Sequence, residues 1–234
     1  MIFSITAIKC CRRCDAIFFL WYNCYMGTLT SQSLLEKAAN GQLELVGLTV
    51  EQYDWLVESG KLPEDPTTEL IDGFIVKKDR SAVGENPMTV GDRHRFAVMI
   101  LSRLDSVFSR IGCCVQSQQP ISLPPRNQPE PDLAVLAGRA EDYKKRKAGI
   151  SDIFSVVEVA ESSLGRDLGT KLRVYAKAKI PEYIVVNLID KLVLVHHRPV
   201  RSTYADVTPL RSGDTLKISA KDGKTVSIEV ASLL

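Results

Sequence analysis

The sequence is poor in several features that would assign it to a specialised class of protein. Aromatic residues make up 7% of its 234 residues, histidine occurs three times and the net charge is only +2. So small a net charge gives no indication of nucleic-acid binding. The uninterrupted apolar run at residues 16–22 is too short to span a bilayer, which needs about 20 residues. With 45% hydrophobic and 25% charged residues, the composition describes a soluble globular chain and excludes collagen-like and disordered classes.

Cysteine is unevenly distributed along the chain. Four of the six cysteines fall within residues 1–25, where Cys11 and Cys14 have the spacing of half a zinc site, but no second pair with ligand spacing follows. This segment also holds three basic residues and one acidic residue, so it accounts for the whole net charge. We expect residues 1–25 to be an extension that is disordered or absent from the native protein. Met26 would then be the true start, and residues 26–234 would form a single, neutral domain.

Signals for helices and hairpins occupy the first half of this domain. Residues 32–60 have the spacing of two short helices, and Thr49 and Gln52 form a capping box ahead of the second. The dipeptide Asp72-Gly73 between two short apolar runs predicts a β-hairpin. Apolar spacing then predicts one long helix over residues 89–111, followed by a strand over residues 113–123 that ends at two prolines.

Apolar strands dominate the second half of the chain. Residues 132–137 and 155–160 are almost wholly apolar, as in interior strands that are buried on both faces. The other predicted elements are a basic helix or loop over 144–147, a helix over 164–179, strands over 183–188 and 192–197, and two tail strands near 215–218 and 225–230 that complete the sheet. This order predicts an α/β fold with a mixed β-sheet flanked by helices.

A glutamate interrupts one of the two interior strands. Glu158 lies between valines, where a carboxylate in the middle of a sheet is costly unless it is paired or bound to a metal. Asp132 begins the other interior strand, so the two carboxylates converge if these strands are neighbours, and they would then suit Mg²⁺ or Mn²⁺. Each residue alone has a simpler explanation. Glu158 could belong to a buried ion pair, and Asp132 could cap its strand.

Two further charged residues are candidates for the same site. Glu69 stands at the head of the predicted hairpin, although a glutamate near a turn is more often solvated than functional. Lys171 shares a helical face with Asp167 and Tyr175, because these positions are spaced by four residues. Its ammonium could border the sheet and orient a water molecule. The alternative is a surface lysine paired with Asp167, and the spacing does not separate the two.

Other catalytic motifs are absent or incomplete in the sequence. Gly165 and Gly169 precede Thr170-Lys171, but the spacing and residue order of a P-loop are missing. No G-x-S-x-G motif occurs, and three histidines are too few for a histidine-rich zinc hydrolase. The basic clusters at residues 77–80 and 144–147 could meet phosphates, but a solvated charged surface is the default interpretation.

Six short motifs occur in a fixed order along the chain. They are Thr68-Glu69-Leu-Ile-Asp-Gly73, His94, Pro131-Asp132-Leu-Ala-Val, Val156-Val-Glu158-Val-Ala, Asp167-x-x-x-Lys171-x-x-x-Tyr175 and Ile180-Pro-Glu-Tyr-Ile-Val185. Each motif alone is common. The set, in this order and spacing, resembles the Uma-type restriction endonuclease family, a branch of the PD-(D/E)XK nuclease superfamily, from about residue 48 to the C terminus.

The resemblance implies a restriction-endonuclease-like core and a divalent-metal nuclease site. In the family pattern, Asp132 and Glu158 bind Mg²⁺ or Mn²⁺ with help from the Val159 carbonyl, and Glu69 matches an upstream acidic position. The usual lysine of the superfamily would stand two residues after Glu158, where this chain has an alanine. Lys171 matches the helix lysine of this branch and would supply the missing group.

The function that the resemblance implies is metal-dependent endonucleolytic hydrolysis of nucleic-acid phosphodiester bonds, with DNA as the favoured substrate and a homodimer as the favoured assembly. The alternative is a catalytically silent relative that keeps the fold for DNA binding or self-association. Cys113 and Cys114 are expected to be reduced packing residues, which indicates a cytoplasmic protein, and no membrane association is expected.

Overall fold

A six-stranded mixed β-sheet forms the core of the fold. The structure, a computed structural model, describes residues 44, 46–62, 68–77 and 91–234. Contacts divide the chain into the units Met1–Val46 and Gly47–Leu234, and all of the described helices and strands lie in the second. The predicted N-terminal extension and the first of the two predicted N-terminal helices lie outside the described residues.

The described elements are as follows in chain order. The strands are β1 (Thr68–Ile71), β2 (Phe74–Lys77), β3 (Cys113–Ser117), β4 (Ile121–Ser122), β5 (Leu133–Ala137), β6 (Ala148–Gly149), β7 (Ile153–Ala160), β8 (Glu182–Asn187), β9 (Leu192–Val200), β10 (Thr203–Leu210), β11 (Thr215–Ser219) and β12 (Thr225–Glu229). The α-helices are α1 (Val50–Glu58), α2 (Asp92–Ser102), α3 (Asp105–Phe108), α4 (Leu164–Arg166) and α5 (Leu172–Lys177). A π-helical segment, Asp167–Lys171, joins α4 to α5. Short 3₁₀ turns cover Ser109–Ile111, Ala140–Tyr143, Ile150–Asp152, Lys221–Gly223 and Val230–Ser232.

The main sheet has the strand order β10-β9-β8-β7-β5-β3. Strands β7 and β8 are parallel, and the other neighbouring pairs are antiparallel. A parallel pair needs a crossover connection, which α4, the π-helical segment and α5 supply. Every residue of β8 and all but one of β7 are buried, and this explains their nearly continuous apolar sequences.

No helix within the described ranges has both the length and the hydrophobicity to cross a membrane.

Alternate residues of the central strands enter two separate hydrophobic cores. Val157 and Val159 pack in one core with residues of α2, α3 and the β11–β12 hairpin. Val156 and Ala160 pack in the other core with residues of α5. Because side chains alternate along a strand, Glu158 faces the same side as Val156 and Ala160. The fold therefore directs this glutamate toward the helix that follows β7.

Two local predictions in the first half of the chain are confirmed. The Thr49 N–H donates to Gln52 Oε1 at 2.9 Å and the Gln52 N–H donates to Thr49 Oγ1 at 3.3 Å, which is the capping box of α1. Asp72 and Gly73 join β1 to β2 with φ values of 49° and 83°. Positive φ at both central residues is what a two-residue hairpin turn of this kind requires.

The long helix predicted over residues 89–111 is interrupted in its described part. Helix α2 ends at Ser102, whose Oγ donates to the Val98 carbonyl at 2.8 Å, a local bond that tends to bend helices. Helix α3 starts at Asp105, and Asp105 Oδ1 accepts the Val115 N–H of β3 at 2.8 Å. A single helix was therefore the wrong prediction, because this contact with the sheet is invisible in the apolar spacing.

The strand predicted over residues 113–123 is two strands, β3 and β4. Gln118 lies between them with φ 49°, and its N–H donates to the Pro131 carbonyl at 3.2 Å. The chain therefore leaves the β3–β5 ladder before β4 begins. The later prolines that were expected to end one strand instead follow the second of two.

The tail strands do not complete the main sheet as predicted. In the described residues, β11 and β12 pair with each other in a separate two-stranded sheet. The sixth strand of the main sheet is β10, which was not predicted. Most of its residues are partly or fully exposed, so this edge strand lacks the apolar signal by which the interior strands were recognised.

Candidate active site

A buried carboxylate of β7 forms the centre of the candidate site. Glu158 is 3% exposed, and its Oε1 accepts hydrogen bonds from Lys171 Nζ and from the Tyr175 hydroxyl, both at 2.7 Å. Lys171 is equally buried and comes from the π-helical segment. It is therefore an interior partner of Glu158, and the alternative of a surface lysine is wrong.

Burial, and two carboxylates beside one ammonium, determine the electrostatics of this pair. Burial raises the pKa of Glu158 to about 8, against the opposing effect of the Lys171 ammonium. Burial alone would lower the pKa of Lys171, but the carboxylates of Glu158 and Glu69 outweigh it, and the pKa is raised. Both groups thus hold their protons more strongly than they would in water. The two carboxylates outnumber the one ammonium, and this excess of negative charge favours the binding of a further cation.

Asp132 directly precedes β5, the strand that pairs with β7. Leu133 lies opposite Val157, so the predicted neighbourhood of the two interior strands is confirmed. Asp132 Oδ2 accepts the Val159 N–H at 2.8 Å, and Oδ1 lies 3.2 Å from His94 Nε2. Burial would raise the pKa of Asp132, but the bonds from His94 and Val159 outweigh it and lower the pKa. The fold therefore holds this carboxylate in its ionised form.

The backbone carbonyl of Val159 faces the same edge of β7 as Asp132. In a strand, the N–H and C=O of one residue point to one side, and those of the next residue point to the other. The Ala160 carbonyl accepts the Leu188 N–H at 2.9 Å on the β8 side. The Val159 N–H reaches Asp132 on the β5 side. The Val159 carbonyl therefore also points to the β5 side, beyond the end of the β5–β7 ladder.

The β1–β2 hairpin brings a second buried glutamate to Lys171. Glu69 Oε1 lies 3.5 Å from Lys171 Nζ and accepts the Glu130 N–H at 2.9 Å. A backbone bridge between Leu70 and Gln128 fixes the hairpin against the segment that precedes β5. Lys171 therefore lies between the carboxylates of two of the residues that the sequence analysis selected.

The helical face that the spacing predicted carries three polar side chains. Asp167, Lys171 and Tyr175 are all buried, and the π-helical geometry between the first two is often found at functional sites. Asp167 Oδ2 accepts a hydrogen bond from Ser163 Oγ, and no described residue donates to its buried Oδ1. Burial raises the pKa of Asp167.

Three residues of this site, Tyr175, Asp167 and His94, were not among those predicted to form it. Each was quoted in the motif series, and that was the signal that could have selected them. Their partners are distant in sequence: Tyr175 bonds Glu158, and His94 bonds Asp132. Although burial disfavours the charged ring of His94, its bond to Asp132 raises the pKa.

The oxygen donors at this edge of the sheet fit a divalent cation. Lys171 contacts both Glu69 and Glu158, whereas Asp132 contacts the backbone of Val159. Within the described ranges, no three His, Cys, Asp or Glu side chains converge closely enough to hold an ion by themselves. Mg²⁺ usually keeps several waters and needs only one or two carboxylates. Glu158 Oε2 accepts no hydrogen bond from the described residues, which leaves it open to a cation.

The basic cluster at residues 144–147 is partly neutralised by acidic neighbours. Lys147 Nζ lies 2.6 Å from Asp54 Oδ1, and Arg146 Nη1 lies 2.6 Å from Asp152 Oδ2. The side chains at 144–145 are exposed. This arrangement agrees with the default interpretation of a solvated charged surface.

Comparison with known proteins agrees with this fold. The family model Uma2, described as "Putative restriction endonuclease", matches residues 50–225. The crystal structure of a "putative nuclease belonging to DUF820" from Anabaena variabilis ATCC 29413 is similar with a TM-score of 0.55 and 14% sequence identity, covering 79% of this chain and 96% of that chain. That likeness confirms the predicted α/β, nuclease-like fold. No curated protein matches the chain. Because the family model covers most of its length, the chain belongs to the Uma2 family of restriction-endonuclease-like proteins.

Proposed function

We propose that the protein is a metal-dependent endonuclease that hydrolyses phosphodiester bonds of DNA. The observation that carries this proposal is the buried pair of Glu158 and Lys171 beside Asp132. A buried ion pair is weak support for the stability of a fold, because the desolvation penalty offsets the attraction. Buried ionisable groups with shifted pKa values are, in contrast, typical of functional sites. Membership of a nuclease family supports the same interpretation.

Asp132, Glu158 and the Val159 carbonyl are the groups that would hold Mg²⁺ or Mn²⁺. When bound, such an ion lowers the pKa of a coordinated water and stabilises charge on phosphate oxygens. Asp132 is prepared for this role because His94 and the Val159 N–H keep it ionised. Tyr175 fixes the orientation of Glu158 by donating to Oε1, which leaves Oε2 for the cation.

Lys171 would act on the attacking water and on the phosphate. Its ammonium lies 2.7 Å from Glu158 Oε1 and 3.5 Å from Glu69 Oε1, so two carboxylates fix its position in the site. An ammonium has three N–H donors, and a donor directed at a water or a phosphoryl oxygen orients the nucleophile and offsets developing charge. Because Lys171 reaches Glu158 from the helix, the alanine at the usual lysine position does not leave the site without an ammonium.

The proposal is tested by cleavage assays on plasmid DNA with Mg²⁺ or Mn²⁺. We expect Asp132→Ala to be folded and inactive, and Lys171→Ala to lose turnover while keeping most of its Mn²⁺ affinity in calorimetry. Asp222→Asn, in an exposed turn between β11 and β12, is a charge-matched control that should cleave like the wild type. Absence of cleavage of DNA and RNA under conditions where a control restriction enzyme works, or full activity of Asp132→Ala, would contradict the proposal.

The second candidate is a catalytically silent relative that binds DNA or self-associates. The lack of three converging ligand side chains among the described residues is the observation that favours it. It predicts DNA binding that does not depend on metal, and no metal at Asp132 and Glu158 in a crystal soaked with Mn²⁺.

The proposed enzyme is instead a cytoplasmic homodimer, since a dimer places two sites on the two strands of a duplex. Light scattering after size-exclusion chromatography tests the dimer.

A further inference from the structure

Asp167 carries a buried carboxylate oxygen that the fold does not satisfy. The side chain is 1% exposed, Ser163 Oγ donates to Oδ2, and no described residue donates to Oδ1. Most buried polar atoms have a hydrogen-bond partner, and an exception within a native fold points to a bound water or ion. The unsatisfied oxygen belongs to the helical segment that carries Lys171, the central cation of the proposed site.

Asp167 lies on the same buried helical face as the lysine of that site. Asp167 and Lys171 are the first and last residues of the π-helical segment, both are buried, and Lys171 Nζ lies 2.7 Å from Glu158 Oε1. The unsatisfied oxygen therefore belongs to the face of the helix that meets the proposed metal ligand Glu158.

A buried donor without a partner lies beside this acceptor. Arg166 Nε has no hydrogen-bond partner in the described part of the chain and lies 3.8 Å from Asp167 Oδ1, which is too far for a hydrogen bond. The two groups therefore do not satisfy each other. An acceptor next to a donor complements two neighbouring ligands, one that donates and one that carries negative charge. In a site for phosphodiester hydrolysis, a metal-bound water and a phosphate oxygen are such neighbours.

We propose that Arg166 and Asp167 form a positioning pair of the active site. Asp167 Oδ1 accepts a hydrogen bond from a water in the shell of the divalent cation, and the Arg166 guanidinium, whose side chain is 23% exposed, donates to an oxygen of the phosphodiester. This inference rests on the proposed metal-dependent cleavage. Residues that orient the ligands of a metal in this way typically contribute 10-fold to 100-fold to metal affinity or activity.

A purely structural role for Asp167 makes the opposite prediction about stability. If the carboxylate served mainly to hold the helix, its neutralisation would lower the melting temperature of the metal-free protein. If it is held ready for a ligand, Asp167→Asn neutralises a buried carboxylate whose Oδ1 lacks a donor and keeps an oxygen for Ser163. The melting temperature without metal should then be equal to or higher than that of the wild type.

The experiment titrates Mn²⁺ into the full chain by calorimetry, without DNA, and records melting curves of the same samples. We expect Asp167→Asn to bind Mn²⁺ about 10-fold more weakly, with no loss of metal-free melting temperature. The exposed Asp222→Asn should bind like the wild type. Arg166→Ala should keep its Mn²⁺ affinity within about twofold and raise the KM for DNA about 10-fold, because it contacts the phosphate and not the metal.

The outcomes separate this inference from the proposed function. Wild-type Mn²⁺ affinity in Asp167→Asn, or a lower metal-free melting temperature, overturns the positioning role even if Asp132→Ala has lost its Mn²⁺ affinity. An unchanged KM in Arg166→Ala overturns the part that concerns the phosphate. If the wild-type protein binds no Mn²⁺, or Asp132→Ala binds it as tightly as the wild type, both the inference and the metal-dependent function are overturned.

Discussion

Two glutamates are buried in neighbouring parallel strands of the sheet, and they are held in different ways. Glu182 of β8 accepts hydrogen bonds on both oxygens: Oε1 from Ser155 Oγ at 2.5 Å and the Ser219 N–H at 2.8 Å, and Oε2 from Ser219 Oγ at 2.8 Å. Glu158 of β7 accepts on Oε1 alone, from Lys171 and Tyr175. Glu182 is thus held by hydroxyl and backbone donors, with His197 Nε2 3.4 Å from Oε2, whereas Glu158 depends on a buried ammonium.

The two carboxylates also face opposite sides of the sheet. The residues of β8 whose side chains lie on the same face of the sheet as Glu182 pack toward the β11–β12 hairpin, and Ser219 belongs to that hairpin. The residues of β7 whose side chains lie on the same face as Glu158 pack toward α5. Glu182 therefore fastens the C-terminal hairpin to the sheet. Glu158 instead keeps Oε2 without a hydrogen bond from the described residues, and burial alone does not distinguish the two roles.

Activity is where this contrast should be largest. We expect Glu158→Gln to reduce DNA cleavage by about 10³-fold or more, because it removes a charged metal ligand at nearly constant volume. Glu182→Gln should retain cleavage per folded molecule within a few-fold. The measurement is single-turnover cleavage at saturating Mg²⁺, with the folded fraction determined by circular dichroism. Equal losses in the two variants would show that Glu158 has no special chemical role.

The free energy of unfolding should show the reverse order, with the larger loss in Glu182→Gln and the smaller loss in Glu158→Gln. Glu182→Gln replaces an acceptor oxygen by an amide N–H₂ group that faces serine donors, so we expect a loss of about 1–3 kcal/mol in the free energy of unfolding. Glu158→Gln in metal-free protein should lose less, because burial raises the pKa of Glu158 and so lowers the cost of neutralising it, and Lys171 keeps Glu69 as a partner. Urea denaturation in EDTA measures both. A greater loss for Glu158→Gln would identify its pair with Lys171 as a structural element.

The same comparison shows how far the sequence could predict the site. Glu158 was recognisable because a charge in the middle of an apolar strand demands compensation. Glu182 begins its strand, and its donor Ser219 lies 37 residues away on a hairpin, so nothing in the local pattern marks it as buried. The interior strands and the capping box were predicted for a similar reason, since short-range periodicity and capping chemistry determine them.

Elements that depend on distant contacts were predicted poorly. The break between α2 and α3 involves a bond from Asp105 to β3, and the exposed edge strand β10 is ordered by its pairing with β9. The contact of Tyr175 with Glu158 likewise joins residues 17 positions apart on different elements. Spacing placed Tyr175 on the correct helical face. It could not show that the hydroxyl reaches a carboxylate in the sheet.

The smallest expected effect concerns that hydroxyl. Tyr175→Phe removes one of the two donors to Glu158 Oε1 and keeps the buried ring. We expect the free energy of unfolding to fall by about 0.5–1.5 kcal/mol. An equal rise in the activation free energy would decrease the cleavage rate by up to about 10-fold. Tyr204→Phe is the matched control, because its buried hydroxyl donates to the Ile180 carbonyl, a backbone acceptor. It should lose similar stability without loss of rate. If both variants cleave at the wild-type rate, Tyr175 does not orient Glu158, and the division between a structural and a catalytic glutamate rests on Lys171 alone.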